Sequence, residues 1–297
     1  MAIKTAIVPV AGLGTRLIPV TKSQPKEMLP VGRKPVVQYI VEDLINFGIE
    51  RILFITGSNK TSIENYFDIH TELVNTLREK GKEDILAELQ FDYTPTRYFF
   101  TRQRQLLGLG HAVLCGREFI GDDPFVVALG DSIIGLKAQN NLLQRMHACF
   151  QQTDCAAVVA FESVPRDEVA RYGIAHPADD APADMFRLQD VIEKPDPADA
   201  PSQLAIAARY IFKPQIFTAL AQTSPGKGGE IQLTDAIRRL IQSGQTVYGV
   251  RLTADEQRYD IGNFASYFRA FVEFALADDK YGADLRAYLA TLQEEQR

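Results

Sequence analysis

The sequence contains little cysteine, and its cysteines are not arranged for cross-linking or metal binding. They are odd in number, and no two of them stand in a C-x-x-C motif. We therefore expect reduced thiols, as in cytoplasmic proteins, and neither a disulfide framework nor a zinc site. The three residues are Cys115, Cys149 and Cys155.

An excess of basic residues and long apolar runs are also missing. The formal net charge is −6, which argues against a nucleic-acid groove because such a groove needs a basic stripe. A nucleotide pocket remains compatible with this charge, since it needs only a few local cations. No apolar run approaches the roughly 18 residues of a membrane-spanning helix. Glycines at positions 12 and 14, followed by Arg16, interrupt the apolar N-terminus and argue against a signal peptide.

Apolar segments with alternating strand and helix patterns run through the chain. Residues 3–10 and 51–56 are β-branched runs typical of buried strands, and residues 35–47 carry apolar side chains at helical spacing. Strand, helix and strand in this order form a βαβ unit, which predicts a parallel sheet. We predict one α/β domain over residues 1–297. The later predicted strands are 97–101, 125–129, 155–161, 205–212 and 247–252, and the later predicted helices are 110–119, 142–150, 231–242, 264–276 and 285–292.

A glycine-rich loop follows the first predicted strand. Its backbone N–H groups could approach a phosphate because no Cβ is in the way, and Arg16 and Lys26 would add positive charge for a triphosphate. The dinucleotide fingerprint G-x-G-x-x-G is incomplete because its third glycine is missing, and the Gly-Lys-Ser/Thr of the Walker motif is absent. The glycines alone are equally compatible with an ordinary turn. The loop residues are Ala11, Gly12, Leu13, Gly14 and Thr15.

The longer string around this loop is more specific. The loop ends in Gly-Leu-Gly-Thr-Arg, and Pro-Lys-Glu-Met-Leu-Pro follows at 25–30. This string resembles the signature of the nucleotidyltransferases that activate sugar phosphates, in the form found in the bacterial uridylyltransferases. The resemblance continues over nearly the whole chain.

The resemblance implies a fold and an activity. The fold is a Rossmann-like, mixed, mostly parallel sheet flanked by helices, of the nucleotide-diphospho-sugar transferase type. The activity is synthesis of UDP-glucose and pyrophosphate from UTP and glucose 1-phosphate, by Mg²⁺-dependent in-line attack on the α-phosphorus. We further expect a cytoplasmic homo-oligomer with no nucleic-acid or membrane partner. Within the single domain, we expect a sugar-binding portion around 165–262 and helices for oligomerisation within 263–297.

A second nucleotide-binding segment is implied by Gln103 and the Gly-Leu-Gly-His-Ala-Val run at 108–113. The resemblance assigns the uracil edge to Gln103, a role that suits an amide because it donates and accepts in one plane. We expect His111 only to cap or pack the following helix. The other implied nucleotide contacts are Glu27, Gly108 and Gly110.

Two aspartates are the candidate metal ligands. Asp131 follows the strand predicted at 125–129, in the crevice where α/β sheets bind ligands, and Asp260 lies in the Tyr-Asp-Ile-Gly-Asn string at 259–263. Taken alone, each is better explained as a turn or N-cap residue. The resemblance pairs them as ligands of Mg²⁺, an ion that takes one or two carboxylates together with phosphate oxygens and water.

The sugar phosphate is assigned to the Val-Ile-Glu-Lys-Pro segment at 191–195. The resemblance implies that Glu193 accepts hydrogen bonds from sugar hydroxyls and that Lys194 holds the phosphate. Without the resemblance, this segment is only a charged strand end before a turn. The other implied sugar-phosphate residues are Asp131, Tyr172, Gly173 and Glu230.

Catalysis is expected to rest on Arg16, Lys26 and Lys194. A sugar phosphate is already ionised near neutral pH, so neither a protein nucleophile nor a general base is needed. Positioning and cations would then supply the rate enhancement.

Two positions depart from the family pattern and leave alternatives open. Relatives often have lysine where this chain has Leu107, for which Arg104 is a candidate substitute, and usually glycine where it has Ala208. These departures are compatible with a weakly active regulatory paralogue. The nearer alternative is the same chemistry with dTTP or another sugar 1-phosphate. An NAD-dependent enzyme is disfavoured by the missing third glycine.

Overall fold

The computed structural model describes residues 2–89, 94–179 and 184–295. Within these ranges the chain forms thirteen β-strands, eleven α-helices and several short 3₁₀ helices. The strands are β1 Thr5–Pro9, β2 Pro30–Val31, β3 Lys34–Pro35, β4 Arg51–Thr56, β5 Arg97–Arg102, β6 Phe125–Ala128, β7 Ser132–Ile134, β8 Ala157–Ser163, β9 Gly173–Pro177, β10 Met185–Glu193, β11 Leu204–Phe212, β12 Val247–Arg251 and β13 Arg258–Asp260. The helices are α1 Val36–Phe47, α2 Thr61–Tyr66, α3 Thr71–Glu79, α4 Glu83–Glu88, α5 Leu109–Leu114, α6 Arg117–Ile120, α7 Leu142–Gln152, α8 Gln215–Ala221, α9 Leu233–Gln242, α10 Phe264–Leu276 and α11 Gly282–Glu295.

Nine of the strands form one sheet, in the order β5-β4-β1-β6-β11-β8-β12-β10-β9. The first four are mutually parallel, as the βαβ pattern predicts. Strand β11 runs antiparallel to both of its neighbours, and β12 is parallel to β8. The sheet is therefore mixed, and the predicted α/β class with a mixed sheet flanked by helices is confirmed.

Apolar side chains cover both faces of the sheet. In β6, Val126 and Ala128 pack into one core cluster while Phe125 and Val127 pack into the other. Successive side chains of a strand point to opposite faces, so continuous apolar runs of this kind are buried on both sides. Helices α1 and α7 contribute to the first cluster, and α8 and α9 to the second.

The first crossover helix shows how closely local sequence signals set its ends. Helix α1 begins after Pro35 and ends at Gly48, which has a left-handed φ of 102°. Proline suits the start of a helix because it has no N–H to leave unsatisfied, and glycine adopts the left-handed conformation without a Cβ clash. The helix predicted over 35–47 is thus found one residue shorter.

The helix predicted over 110–119 is instead two short helices, α5 and α6. They are separated at Cys115 and Gly116. A Cβ on Gly116 would lie only 2.4 Å from Cδ1 of Ile7, so the chain at this point packs directly on β1. This close approach replaces one continuous helix by two segments.

None of the described helices is both long enough and apolar enough to cross a bilayer. The last helix is described to Glu295, and residues 296–297 of the predicted 263–297 segment lie outside the described residues. The division into a sugar-binding portion and an oligomerising C-terminus stays a prediction.

Candidate active site

A cavity of about 650 Å³ opens near the carboxyl ends of β1 and β6. Most of the predicted site residues line it, although they are spread over more than two hundred positions of the chain. Two predicted residues, Gly110 and Asp260, are not among the lining residues. The predicted residues that line the cavity are Ala11, Gly12, Leu13, Gly14, Thr15, Arg16, Lys26, Glu27, Gln103, Gly108, Asp131, Tyr172, Gly173, Glu193, Lys194 and Glu230.

The glycine-rich loop is held in an open turn by its own hydrogen bonds. Gly14 has a φ of 67°, and its carbonyl accepts bonds from the Thr21 hydroxyl at 2.7 Å and from the Leu17 N–H at 2.9 Å. A side chain at this position would be strained by the left-handed φ. The loop then enters the 3₁₀ turn Thr15–Leu17, which places Arg16 at the cavity rim.

Gln103 is buried, and its side chain is fixed on one side. Its Nε2 donates to the carbonyl of Gly108 at 3.0 Å and lies 2.9 Å from Nδ1 of His111. With these partners on the amide nitrogen, Oε1 is the end that can meet a ligand. His111 therefore does more than the packing or capping expected from the sequence, because it orients Gln103.

Gly110 has a structural explanation that the sequence did not reveal. Its N–H donates to the Ile231 carbonyl at 2.8 Å, and a Cβ would lie 2.7 Å from the same oxygen. The glycine thus allows α5 to pack directly against the segment that leads into α9. Gly108, two residues earlier, lies against Glu230 at the cavity wall.

Lys26 and Asp131 form a short ion pair at the centre of the cavity. Nζ of Lys26 donates to Oδ2 of Asp131 at 2.5 Å, and the two side chains are only 15% and 19% exposed. Burial alone would lower the pKa of Lys26, but Asp131 and Glu27 raise it on balance. Burial would conversely raise the pKa of Asp131, but Lys26 more than offsets this and leaves it lowered. Both groups are therefore charged near neutral pH.

Asp260 is brought beside Asp131 by the pairing of two short strands. In the β13–β7 ribbon Asp260 lies opposite Ser132, and the N–H of Ile261 donates to the Asp131 carbonyl at 2.9 Å. Burial and the neighbouring Asp131 carboxylate both raise the pKa of Asp260. Arg16 also reaches this corner, since a Cβ on Gly262 would lie close to both Arg16 and Asp260.

Glu27 is almost fully buried next to the Lys26–Asp131 ion pair. Nζ of Lys60, from the start of α2, donates to its Oε2 at 2.8 Å, and both side chains are sealed from solvent. Burial raises the pKa of Glu27, and Lys60 opposes the shift. The sequence placed Glu27 in the nucleotide set, and the structure adds Lys60 as the residue that holds it.

The end of the cavity that carries the predicted sugar-phosphate residues is organised by the β9–β10 pair. Gly173 and Glu193 are opposite one another in this pairing, and the N–H of Lys194 donates to the Tyr172 carbonyl at 2.9 Å. Nζ of Lys194 lies 3.0 Å from Oε1 of Glu193. The four predicted residues of this end are thus held together by strand register.

Ala208 sits in the bulge of β11 at the cavity wall. The pairing of β11 with β8 is interrupted between Ile206 and Tyr210, and Ala208 has a left-handed φ of 61°. A left-handed φ is strained for any residue with a Cβ, which explains why glycine would be preferred here. The other departure, Leu107, is partly exposed, and its proposed substitute Arg104 is not among the lining residues.

Two arginines in the cavity wall were missed at the level of sequence. Arg171 lies at the rim and is paired loosely with Glu168, whereas Arg258 is nearly buried and bonded to Glu162. Arg258 stands two residues before Asp260, so the strand period alone would have placed both side chains on one face.

The chemistry of the cavity is that of anion binding. Five cationic side chains line it, and within the described part of the chain its lining contains no serine, cysteine or histidine. Such a wall can neutralise and orient phosphate groups but offers no thiol, serine hydroxyl or imidazole for covalent catalysis. The five cations are Arg16, Lys26, Arg171, Lys194 and Arg258.

The nucleotidyl transferase family matches residues 5–276 of the chain. The chain belongs to this family. Among curated members, it is 40% identical over 294 residues to UTP–glucose-1-phosphate uridylyltransferase 1 of Staphylococcus saprophyticus, covering 99% of this chain and 100% of the relative. It is 41% identical over 290 residues to the UTP–glucose-1-phosphate uridylyltransferase of Staphylococcus haemolyticus, covering 98% of each.

Solved structures of nucleotidyl transferases share the fold. The UTP-bound UGPase from Acinetobacter baumannii superposes with a TM-score of 0.88 at 39% identity, covering 97% of this chain and 99% of that one. A UDP-glucose pyrophosphorylase complexed with UDP-glucose gives a TM-score of 0.80 at 37% identity, covering 91% and 97%. The family and fold implied by the sequence resemblance are both confirmed.

Proposed function

We propose that the protein is a UTP–glucose-1-phosphate uridylyltransferase, which forms UDP-glucose and pyrophosphate. The observation that carries this proposal is a single cavity that joins the glycine-rich loop, Gln103, the Lys26–Asp131 pair and the Glu193–Lys194 segment. The relatives that match nearly the full chain carry this activity in their names.

The nucleotide is proposed to bind along the glycine-rich loop. The loop backbone at Gly12 and Gly14 would lie against the nucleotide, with Arg16 near its terminal phosphates. Oε1 of Gln103 would accept the N3–H of uracil, because the amide nitrogen is already engaged with His111 and the Gly108 carbonyl. Cytosine has an acceptor at the same ring position, so this arrangement disfavours CTP.

Magnesium fits the carboxylates of this site. Asp131 and Asp260 are adjacent, and burial, together with the neighbouring Asp131 carboxylate, raises the pKa of Asp260. A divalent cation would offset the repulsion between the two carboxylates. Among the residues that the structure describes, no group of three or more His, Cys, Asp or Glu side chains could enclose a metal. Two carboxylates completed by phosphate oxygens and water are a usual Mg²⁺ environment. When bound, the ion would neutralise charge on the reacting phosphates.

The protein's own residues would bring two anions together. Glu193 and the Gly173 backbone would hold the sugar, and Lys194 its phosphate. A phosphate oxygen of glucose 1-phosphate attacks the α-phosphorus of UTP, and the bond from that phosphorus to the β-phosphate oxygen breaks. Pyrophosphate leaves on the side of Arg16, while Lys26 faces the α-phosphate. Fixed cations of this kind stabilise the transferred group without reorganising during the reaction.

The deciding experiment measures pyrophosphate release by the purified protein with Mg²⁺, glucose 1-phosphate and one nucleotide per reaction. We expect release with UTP, abolished by chelation of the metal. Release mainly with dTTP would support the same reaction with thymine in place of uracil as the base. No release with any of UTP, dTTP, CTP, ATP and GTP, from folded protein that still binds UTP, would favour a regulatory paralogue.

We also propose a cytoplasmic homo-oligomer, with a second copy of this chain packed on the last two helices. On α10, Phe268, Phe271 and Val272 are 59%, 38% and 46% exposed and lie at helical spacing on one side. Light scattering on the wild type and on Phe268→Lys tests this contact, and a monomeric wild type would contradict it.

A further inference from the structure

Arg258 is a nearly buried cation whose side chain is held on two sides. Its Nε donates to Oε1 of Glu162, and its Cζ lies 4.8 Å from the ring centroid of Tyr172. Its side chain is only 8% exposed, and that of Glu162 is 18% exposed. The guanidinium plane is therefore fixed by an ion pair at one edge and an aromatic ring on one face.

The outer edge of this guanidinium faces the cavity. Arg258 is a lining residue, and within the described ranges its Nη1 and Nη2 have no hydrogen-bond partner. Neither atom is among the side-chain nitrogens sealed in the core without a partner. Four N–H bonds of a fixed arginine are thus available to a ligand in the cavity, in the forked arrangement that matches a phosphate.

Strand geometry places Arg258 between the two ends of the site. Arg258 and Asp260 are two residues apart on β13 and share a face, while Tyr259 between them points into the core, where it meets Phe274. On its other side, Tyr172 directly precedes Gly173, the partner of Glu193 at the sugar end. Arg258 therefore lies where the sugar pocket adjoins the aspartate pair.

We infer that Arg258 binds the phosphate group of the sugar 1-phosphate through its two Nη groups. This inference rests on the proposed function and adds to it. A phosphate attached to C1 must bridge the sugar pocket and the aspartate pair, which is the interval that Arg258 spans. Glu162 is then a positioning residue that keeps the guanidinium from turning toward Asp260. Tyr172 supports its face.

The test measures the effect of Arg258→Gln and Arg258→Lys on each substrate separately, as the KM for glucose 1-phosphate and the Kd for UTP. We expect Arg258→Gln to raise the KM for glucose 1-phosphate roughly 10- to 100-fold, the loss typical of a charged bidentate contact. The Kd for UTP, titrated directly with Mg²⁺ present, should change less than threefold. Arg258→Lys keeps the charge but loses the fork, so it should fall between the wild type and Arg258→Gln.

Arg251→Gln is the matched control, since it removes an arginine that does not line the cavity, from β12, the strand before β13 in the chain. It should leave both constants unchanged.

The inference is overturned if both Arg258 variants keep the wild-type KM for glucose 1-phosphate, or if their UTP affinity falls by the same factor. Should Arg258→Gln fail to fold, Arg258→Lys decides alone. A wild type without turnover would contradict the proposed function. Titration of glucose 1-phosphate onto the wild type and both variants would then still test Arg258.

Discussion

Replacing Lys26 and Asp131, separately and together, tests whether the central ion pair works as a unit. At 2.5 Å between Nζ and Oδ2, the Coulomb attraction is about 7 kcal/mol at an effective dielectric constant of about 20. Desolvation offsets part of it, because both side chains are less than one-fifth exposed. Either single change leaves a charge in the cavity without its partner. We therefore expect Lys26→Ala and Asp131→Asn each to reduce turnover about 10²- to 10³-fold.

The double variant gives the sharper result. If the two residues act as one unit, Lys26→Ala/Asp131→Asn should be about as slow as the slower single variant rather than the product of the two losses. The assay is pyrophosphate release at saturating UTP and glucose 1-phosphate, with circular dichroism as the check on folding. Near-wild-type turnover of either single variant, or fully multiplicative losses, would refute this account of the pair.

Three further predictions follow from buried or strained groups. Ala208→Gly should raise the free energy of unfolding by about 0.5–1 kcal/mol in urea denaturation. The reason is that relief of the strained left-handed φ outweighs the extra conformational entropy of glycine in the unfolded chain. A decrease in the free energy of unfolding would show that no strain is stored at this position. Asp43→Asn should lower the free energy of unfolding by about 3–5 kcal/mol, because the fully buried Arg209 loses its carboxylate partner. Adding Arg209→Met should restore part of this loss, and no restoration would argue against the importance of the Asp43–Arg209 pair. Finally, the acid limb of kcat/KM should lie above pH 3.8, the usual pKa of Asp260, because burial and Asp131 raise that pKa and metal binding needs the ionised form. The rate is then lost as pH falls through the raised pKa, whereas a limb at or below 3.8 would contradict this reading.

The fold was predictable where local signals and the sheet agreed. Residues 51–56 form β4 as expected, because a short β-branched run flanked by polar residues has few alternatives. The break between α5 and α6 was not predictable, since it depends on the contact of Gly116 with Ile7 of β1. Helical periodicity carries no information about such a long-range contact.

The site was predictable from motifs only to the extent that each motif contributes residues to the lining of the cavity. The glycine-rich loop and the Glu193–Lys194 segment follow β-strands and line the cavity as the resemblance implied. The residues that support them have no motif of their own. Lys60 beneath Glu27, and Glu162 behind Arg258, are identifiable only once strands distant in sequence lie side by side.

The pairing of charges within the cavity bears directly on how two anions can react there. Arg16 has no ion-pair partner among the described residues, whereas the other four lining cations are each paired with a carboxylate, three of them closely and Arg171 loosely. A wall of unpaired cations would bind pyrophosphate tightly and retard its release, while paired cations are already fixed in place and partly neutralised. In the proposed reaction, stabilisation would be strongest where charge is redistributed, and Arg16 would accompany the leaving group. The held pairs are Lys26 with Asp131, Lys194 with Glu193, and Arg258 with Glu162.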